Sequence, residues 1–186
     1  MSPTFHIVHA RADPQIIAEC HRIREQVFHV EQKFPLDTEF DEVENVAMHF
    51  LVRATDTDPT TGETTVKGVG TIRGTSPDAY PGKTCYKLSR LAVLADYREH
   101  KLGRRLVESL HEWIVEDAIA TNRPAVIEAH SQLPVIGFYK KFGYIPEARL
   151  FHFQYSVSQI LTSERFVPFL LCRASNSMKM ELLTKT

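Results

Sequence analysis

A chain of 186 residues and 21.3 kDa, 43% hydrophobic and 24% charged, has the size and composition of a single ordinary globular domain whose core needs no staples. A net charge of −1 and a pI near 6.8 supply no global field toward nucleic acid or an anionic membrane, so any anion must be met by a local cluster of cations. Cys20, Cys85 and Cys172 are scattered, with no C-x-x-C pair and no Cys/His grouping at ligand spacing, which fits reduced thiols in a cytoplasmic or nucleocytoplasmic protein and no metal. No signal-peptide run opens the sequence and no stretch is long enough to span a bilayer, so no membrane is expected.

Residues 5–8 predict a short first strand, and Asp13 before Pro14 has the form of an N-cap followed by proline at the first helical position. The helix so opened places Ile16, Cys20, Ile23 and Val27 on one stripe. The acids Asp37, Glu39, Asp41, Glu42 and Glu44 that follow read, on their own, as a solvated loop. Residues 49–54 alternate as a strand, 56–63 (DTDPTTGE) form a hairpin loop, and 65–73 return as a strand in which Gly68 and Gly70 mark a bulge or a close approach. The run 86–94 is apolar almost throughout and predicts a central strand covered on both faces.

Beyond that strand the charge pattern changes. Arg98, His100, Lys101, Arg104 and Arg105 crowd a short turn where Gly103 opens a long helix. A helix N-terminus carries partial positive charge and unpaired N–H groups, so cations there are unfavourable unless an anion joins them. The turn therefore reads either as a solvated basic helix start or as a site for a pyrophosphate. Neither G-x-x-x-x-G-K-[ST] nor G-x-G-x-x-G occurs, which disfavours a mononucleotide kinase and an NAD enzyme.

The helix buries Leu102, Leu106, Val107, Leu110, Trp113 and Ile114 and stops near Asn122 and Pro124. A buried strand, 125–129, completes a βαβ unit with parallel neighbours. Residues 134–142 form a short helix carrying Val135, Phe138, Tyr139 and Phe142 at helical spacing, closed by Gly143. Phe151, Phe153, Tyr155 and Val157 alternate as one strand, and Met178, Met180 and Leu182 as another. Residues 158–175, without period, read as an insertion in this C-terminal strand region or as translated intron sequence.

Three motifs together carry a family resemblance: V-F-H-V-E-Q at 27–32, R-L-A-V-L-A-D-Y-R-E-H-K-L-G-R-R-L at 90–106 and G-F-Y-K-K-F-G-Y-I-P at 137–146. The middle one resembles the acetyl-CoA pyrophosphate loop of the GNAT N-acetyltransferases, R/Q-x-x-G-x-G/A, with Lys101 at the first glycine. The N-terminal one is similar to the ElaA-like branch of that superfamily, in which this region covers the acceptor pocket and Glu31 and Gln32 would face a substrate amine. The resemblance spans 8–148. It implies a single domain of α/β class with a mixed, mostly antiparallel sheet flanked by helices, and an acetyl-CoA-dependent transfer to a primary amine, small molecule or peptide, by direct attack in a ternary complex. A homodimer is common in such a family.

For acyl transfer the residues offer a proton donor, a cofactor cradle and several bases. The resemblance makes Tyr139 the acid that protonates the departing thiolate, and sets Phe138 beside coenzyme A. Leu91, Ala92 and Val93 would present backbone groups to the pantetheine arm and the thioester, and Arg98, Glu99, His100, Lys101, Leu102, Gly103 and Arg104 would hold the pyrophosphate. The general base stays open between Glu31, Glu128 and His130. A catalytically silent acyl-CoA-binding module of the same fold is the alternative.

Overall fold

The computed structural model describes residues 3–153 and 156–163, which form two compact units, residues 3–75 with 90–111 and residues 76–89 with 112–153 and 156–163. In the first, β1 (Thr4–Arg11), β2 (Met48–Thr57) and β3 (Thr64–Thr75) make an antiparallel meander. The β2/β3 register shifts between Val52, opposite Gly70, and Arg53, opposite Gly68, so one residue of β3 bulges. Both glycines are also close approaches. A Cβ on Gly68 would lie 3.0 Å from Glu19 Oε2 and 3.2 Å from Leu51 Cδ1, and one on Gly70 would lie 3.4 Å from Leu106 and Val93.

Helix α1 (Pro14–Arg24) starts as its sequence dictates: Asp13 Oδ1 accepts from the N–H groups of Gln15 and Ile16, with Pro14 at a position that needs no N–H partner. Its stripe of Ile16, Cys20 and Ile23, continued by Val27, packs with Leu51 and Ala92. Each such aliphatic side chain contributes about 1.5–3 kcal/mol through burial. Burial also pushes the Cys20 thiol up to about 11, which leaves it unreactive. The helix passes directly into a π-helical segment, Glu25–Glu31, and then a 3₁₀ turn, Leu36–Glu39.

Strand β4 (Tyr86–Val93) enters this unit at Arg90, whose φ of 57° is left-handed. Its burial alternates: Tyr86, Leu88 and Ala92 are buried while Leu91 and Val93 are only half-buried, which corrects the expectation of a strand covered on both faces. The Leu94 N–H donates to the Val69 carbonyl at 2.9 Å. A 3₁₀ turn, Ala95–His100, and Lys101 then lead into α2 (Leu102–Ala120). The six apolar side chains expected on one stripe of α2 are all buried.

In the second unit, Tyr86, Lys87 and Leu88 of β4 pair in parallel with Ile127, Glu128 and Ala129 of β5 (Ile127–Gln132), closing the expected βαβ connection. The chain then makes a 3₁₀ turn, Leu133–Val135, and a short helix, α3 (Ile136–Lys140). β6 (Tyr144–Phe153) and β7 (Ser156–Ser163) are antiparallel, and β7 also pairs antiparallel with β5. The single strand expected from Phe151 to Val157 is thus two strands, because Phe153 faces Ser156 across a hairpin. Residues 156–163 of β7 also take in the start of the expected insertion, while its remainder and the strand expected at Met178, Met180 and Leu182 lie outside the described residues.

Candidate functional site

The basic loop of the first unit is shaped by one residue in an unusual conformation. Lys101 has φ 56° and ψ 24°, the left-handed region, and its carbonyl accepts from the N–H groups of Arg104 (3.1 Å) and Arg105 (3.3 Å). A residue with a Cβ costs roughly 1–2 kcal/mol there. This explains physically why the resembling pattern carries glycine at that position. The turn preceding it is tied down by Arg98, whose Nε donates to the Val93 carbonyl at 3.1 Å and whose Nη2 meets Glu31 Oε2 at 2.6 Å.

The expected basic cluster is therefore partly occupied. Arg98 is held by Glu31, Arg104 Nε by Glu108 one turn along α2 at 2.7 Å, and Arg105 Nη2 donates to the Phe5 carbonyl at 3.1 Å. His100 lies against the Phe5 ring, centroids 4.9 Å apart. Among the described residues Lys101 has no ion-pair partner, and Glu99 and Gly103 complete the turn. These surface pairs are worth about 0.2–1 kcal/mol each, so a doubly charged pyrophosphate can displace them. Glu31, the first candidate base, is held below the usual carboxylate range by the Arg98 hydrogen bond, which outweighs desolvation and is aided by the Arg98 charge.

The acidic run does not form a solvated loop. Arg24, 1% exposed, meets both Glu44 carboxylate oxygens at 2.9 and 3.0 Å and approaches Glu39 through both its carboxylate and its carbonyl. Arg73, also 1% exposed, takes Asp41 bidentately at 2.7 and 2.8 Å and reaches Glu44. Arg90 Nη2 donates to the Thr38 carbonyl at 2.8 Å and its guanidinium lies 3.4 Å from Glu39 and 3.6 Å from Asp41. Three arginines thus face three carboxylates, Glu39, Asp41 and Glu44, which leaves this part of the run no net charge to offer a ligand. His21 Nε2 adds a contact to Glu44 at 3.0 Å, and buried His49 bonds the Glu44 carbonyl at 2.8 Å. Desolvation opposes ionisation of Glu44, but Arg24, His21 and Arg73 outweigh it and hold it down to about 2.

In the second unit, Tyr139 of α3 is 5% exposed, its ring edge-on to Phe138 (5.1 Å) and Tyr144 (5.5 Å). Burial raises its pKa, so the phenol stays protonated, and among the described residues its hydroxyl has no hydrogen-bond partner. Half-buried Phe138 also contacts Phe142 at 5.2 Å. His130 and Glu128, two apart on β5, share a face: His130 Nε2 and Glu128 Oε1 are 2.8 Å apart, and the Cys85 thiol (3.4 Å) and Lys83 (3.5 Å) approach the other oxygen. The His130 hydrogen bond leads in drawing Glu128 down to about 2, against burial. No group of three or more His, Cys, Asp or Glu is placed to hold a metal among the described residues, and none of their helices is long and apolar enough to cross a membrane.

Reasoning from sequence paired Glu31 with a substrate amine and missed its partner Arg98. It also missed Arg24, Arg73 and Arg90. The available signal was Arg24 itself, a charge set beside Ile23 at the buried stripe of α1.

With the loop and these sites described, the chain is assigned to a class: residues 49–146 match the family model described as an acetyltransferase (GNAT) domain, and the chain belongs to that family. Its mixed, mostly antiparallel sheet flanked by helices is the fold of that family. Among particular relatives, it is 33% identical over 122 residues to YjcF of Bacillus subtilis strain 168, an uncharacterised N-acetyltransferase, covering 66% of this chain and 73% of that one. Escherichia coli ElaA superimposes with a TM-score of 0.64 at 18% identity, over 87% of this chain and 99% of ElaA. BjaI, a CoA-dependent acyl-homoserine lactone synthase whose structure contains SAM and isopentyl-CoA, superimposes with a TM-score of 0.60 at 15% identity, over 87% of this chain and 85% of that one.

Proposed function

We propose that the protein uses acetyl-CoA to acetylate a primary amine by direct attack in a ternary complex. The observation that carries this reading is the left-handed Lys101 between a turn anchored by Arg98 and the first turn of α2, a backbone shape suited to a pyrophosphate. Family membership supports acyl transfer, and the acyl-CoA held by BjaI on the same fold supports the cofactor. The half-buried strand residues Leu91 and Val93 flank backbone groups that would meet the pantetheine arm.

In this reading the pyrophosphate takes Arg98 from Glu31, with Lys101 and the N–H groups of Leu102 and Gly103 completing the cradle. Bound acetyl-CoA supplies the activated acyl group. Tyr139 gives its proton to the thiolate as the carbon–sulfur bond breaks. In water a phenol-to-thiolate transfer is uphill by only about 2 kcal/mol, and burial of Tyr139 makes it steeper, so the proton moves as the thiolate charge develops. The amine loses its proton to Glu31, Glu128 or His130, directly or through water. The acceptor is a small molecule or peptide, in a cytoplasmic protein.

The test is thermal unfolding with acetyl-CoA, with ATP and NAD as controls, followed by turnover on an amine panel. Ligand at a hundred times its Kd adds about 2.7 kcal/mol, and each kcal/mol raises the midpoint by roughly 2–4 °C. A shift with acetyl-CoA together with acetylated amine supports the enzyme. A shift without turnover on any amine supports the silent acyl-CoA-binding module, and no shift removes both.

A further inference from the structure

A cleft of about 760 Å³ opens in the first unit, lined by α1 residues Glu19, Arg22, Ile23 and Gln26, by Arg53 of β2, by Val66, Lys67 and Gly68 of β3, and by Leu94. Its charge is uneven. Arg53 Nη2 is neutralised by Glu19 Oε1 at 2.6 Å, which leaves Arg22 and Lys67 exposed with no ion-pair partner among the described residues. Against them stand apolar surfaces: Ile23 and half-buried Leu94, and Val66, which is 60% exposed. Two uncompensated cations beside exposed aliphatic surface match an organic anion with a short apolar body.

The position of the cleft connects it to the proposed chemistry. Leu94 joins β4 to the turn that holds Arg98, and Gln26 lies in the same π-helical segment as Glu31. Glu39, Asp41 and Glu44 are matched by Arg24, Arg73 and Arg90, which leaves them no net charge to attract a cationic acceptor.

We infer that this cleft, through Arg22 and Lys67, binds a carboxylate or phosphate monoester belonging either to the amine acceptor or to the ribose 3′-phosphate of acetyl-CoA. The inference rests on the acetyl-CoA reading for its ligands. The test compares the wild type with the Arg22→Gln/Lys67→Gln double variant on two matched pairs: coenzyme A against 3′-dephospho-CoA in calorimetric binding, and an α-amino acid against its carboxamide in acetylation. In one pair the ratio of anionic to neutral affinity or kcat/KM falls about tenfold in the variant, and the fall shrinks as salt is raised. Loss in the first pair assigns the cleft to the cofactor phosphate, and loss in the second to an acidic acceptor. Equal ratios in both pairs overturn the inference.

Failure of the acetyl-CoA reading would look different, because the wild type would bind neither coenzyme. Titration of inorganic phosphate and acetate, read from the amide shifts of Gly68 and Leu94, then decides alone. Shifts present in the wild type and lost in the double variant support the cleft, and absence of shifts in the wild type overturns it.

Discussion

Arg98 Nη2 lies 2.6 Å from Glu31 Oε2, so a cation of the basic loop and a candidate base neutralise each other. Both side chains are about two-fifths exposed, at 45% and 39%, which limits the pair to roughly 1 kcal/mol. Removing the competitor should therefore help an incoming pyrophosphate. Glu31→Gln is expected to tighten acetyl-CoA binding by up to about fivefold in calorimetry. If Glu31 also takes the amine proton, kcat falls in the same variant. Unchanged or weaker cofactor binding would mean that Arg98 does not meet the phosphates.

Tyr139→Phe removes one hydroxyl and keeps the edge-on ring packing against Phe138 and Tyr144. Turnover should fall by about 10²–10⁴ while acetyl-CoA affinity stays within about twofold. Stopped-flow or steady-state kinetics beside a binding isotherm separates the two. Undiminished turnover would take Tyr139 out of the mechanism.

Lys101 offers a test of backbone strain. Glycine relieves the left-handed φ of 56° but frees the unfolded chain, so Lys101→Gly should leave stability unchanged or raise it by up to about 1 kcal/mol. Lys101→Val, stiff at Cβ, should lower stability by more than about 1 kcal/mol. Urea unfolding of the two variants reads the difference, and equal stabilities would contradict the assigned conformation.

Acid should unfold the protein in two stages. Burial holds His111 at about 4, down from 6.5, against the opposing charge of Glu108. Its neutral form fits the fold, so that contribution is complete above pH 6.5 and is lost as pH falls through about 4. Glu44 and Glu128, each lowered from 4.5 to about 2, keep their contributions above pH 4.5 and lose them on the way down to about 2. His111→Leu should flatten the upper stage only, as read from chemical unfolding at stepped pH. An unaltered slope between pH 6.5 and 4 would assign that stage to other groups.

Removing one member of the buried charge cluster should be severe. Arg24→Leu leaves Glu44 and Glu39 buried without their main partner and is expected to lower stability by about 3–5 kcal/mol. A loss below about 1 kcal/mol in urea unfolding would show that water or other cations replace Arg24.

Local signals were legible in the sequence wherever a residue acts on its own neighbours. Asp13 and Pro14 start α1, the stripes of α1 and α2 mark their buried faces, and Gly68 and Gly70 stand where β3 bulges and helices press close. The loop at 98–103 could be read as an anion site because its charges are contiguous. What escaped depended on distant partners. The acids at 39, 41 and 44 looked solvated because Arg24, Arg73 and Arg90 lie in three other segments, and composition along the chain does not reveal pairing across it. The hairpin between β6 and β7 escaped for a different reason: alternation continues across residues 151–157 without glycine, proline or asparagine to mark the reversal.

The three-arginine cluster gives the protein two electrostatic layers that respond differently to ionic strength. Arg24 and Arg73 are sheltered from ions, whereas Arg98, Arg22 and Lys67 stand in water. Salt at ~1 M shrinks the screening length to about 3 Å, which weakens contacts of the outer layer and reaches the sheltered one far less. Brine should therefore act as a reversible inhibitor that detaches anionic ligands and leaves the scaffold standing.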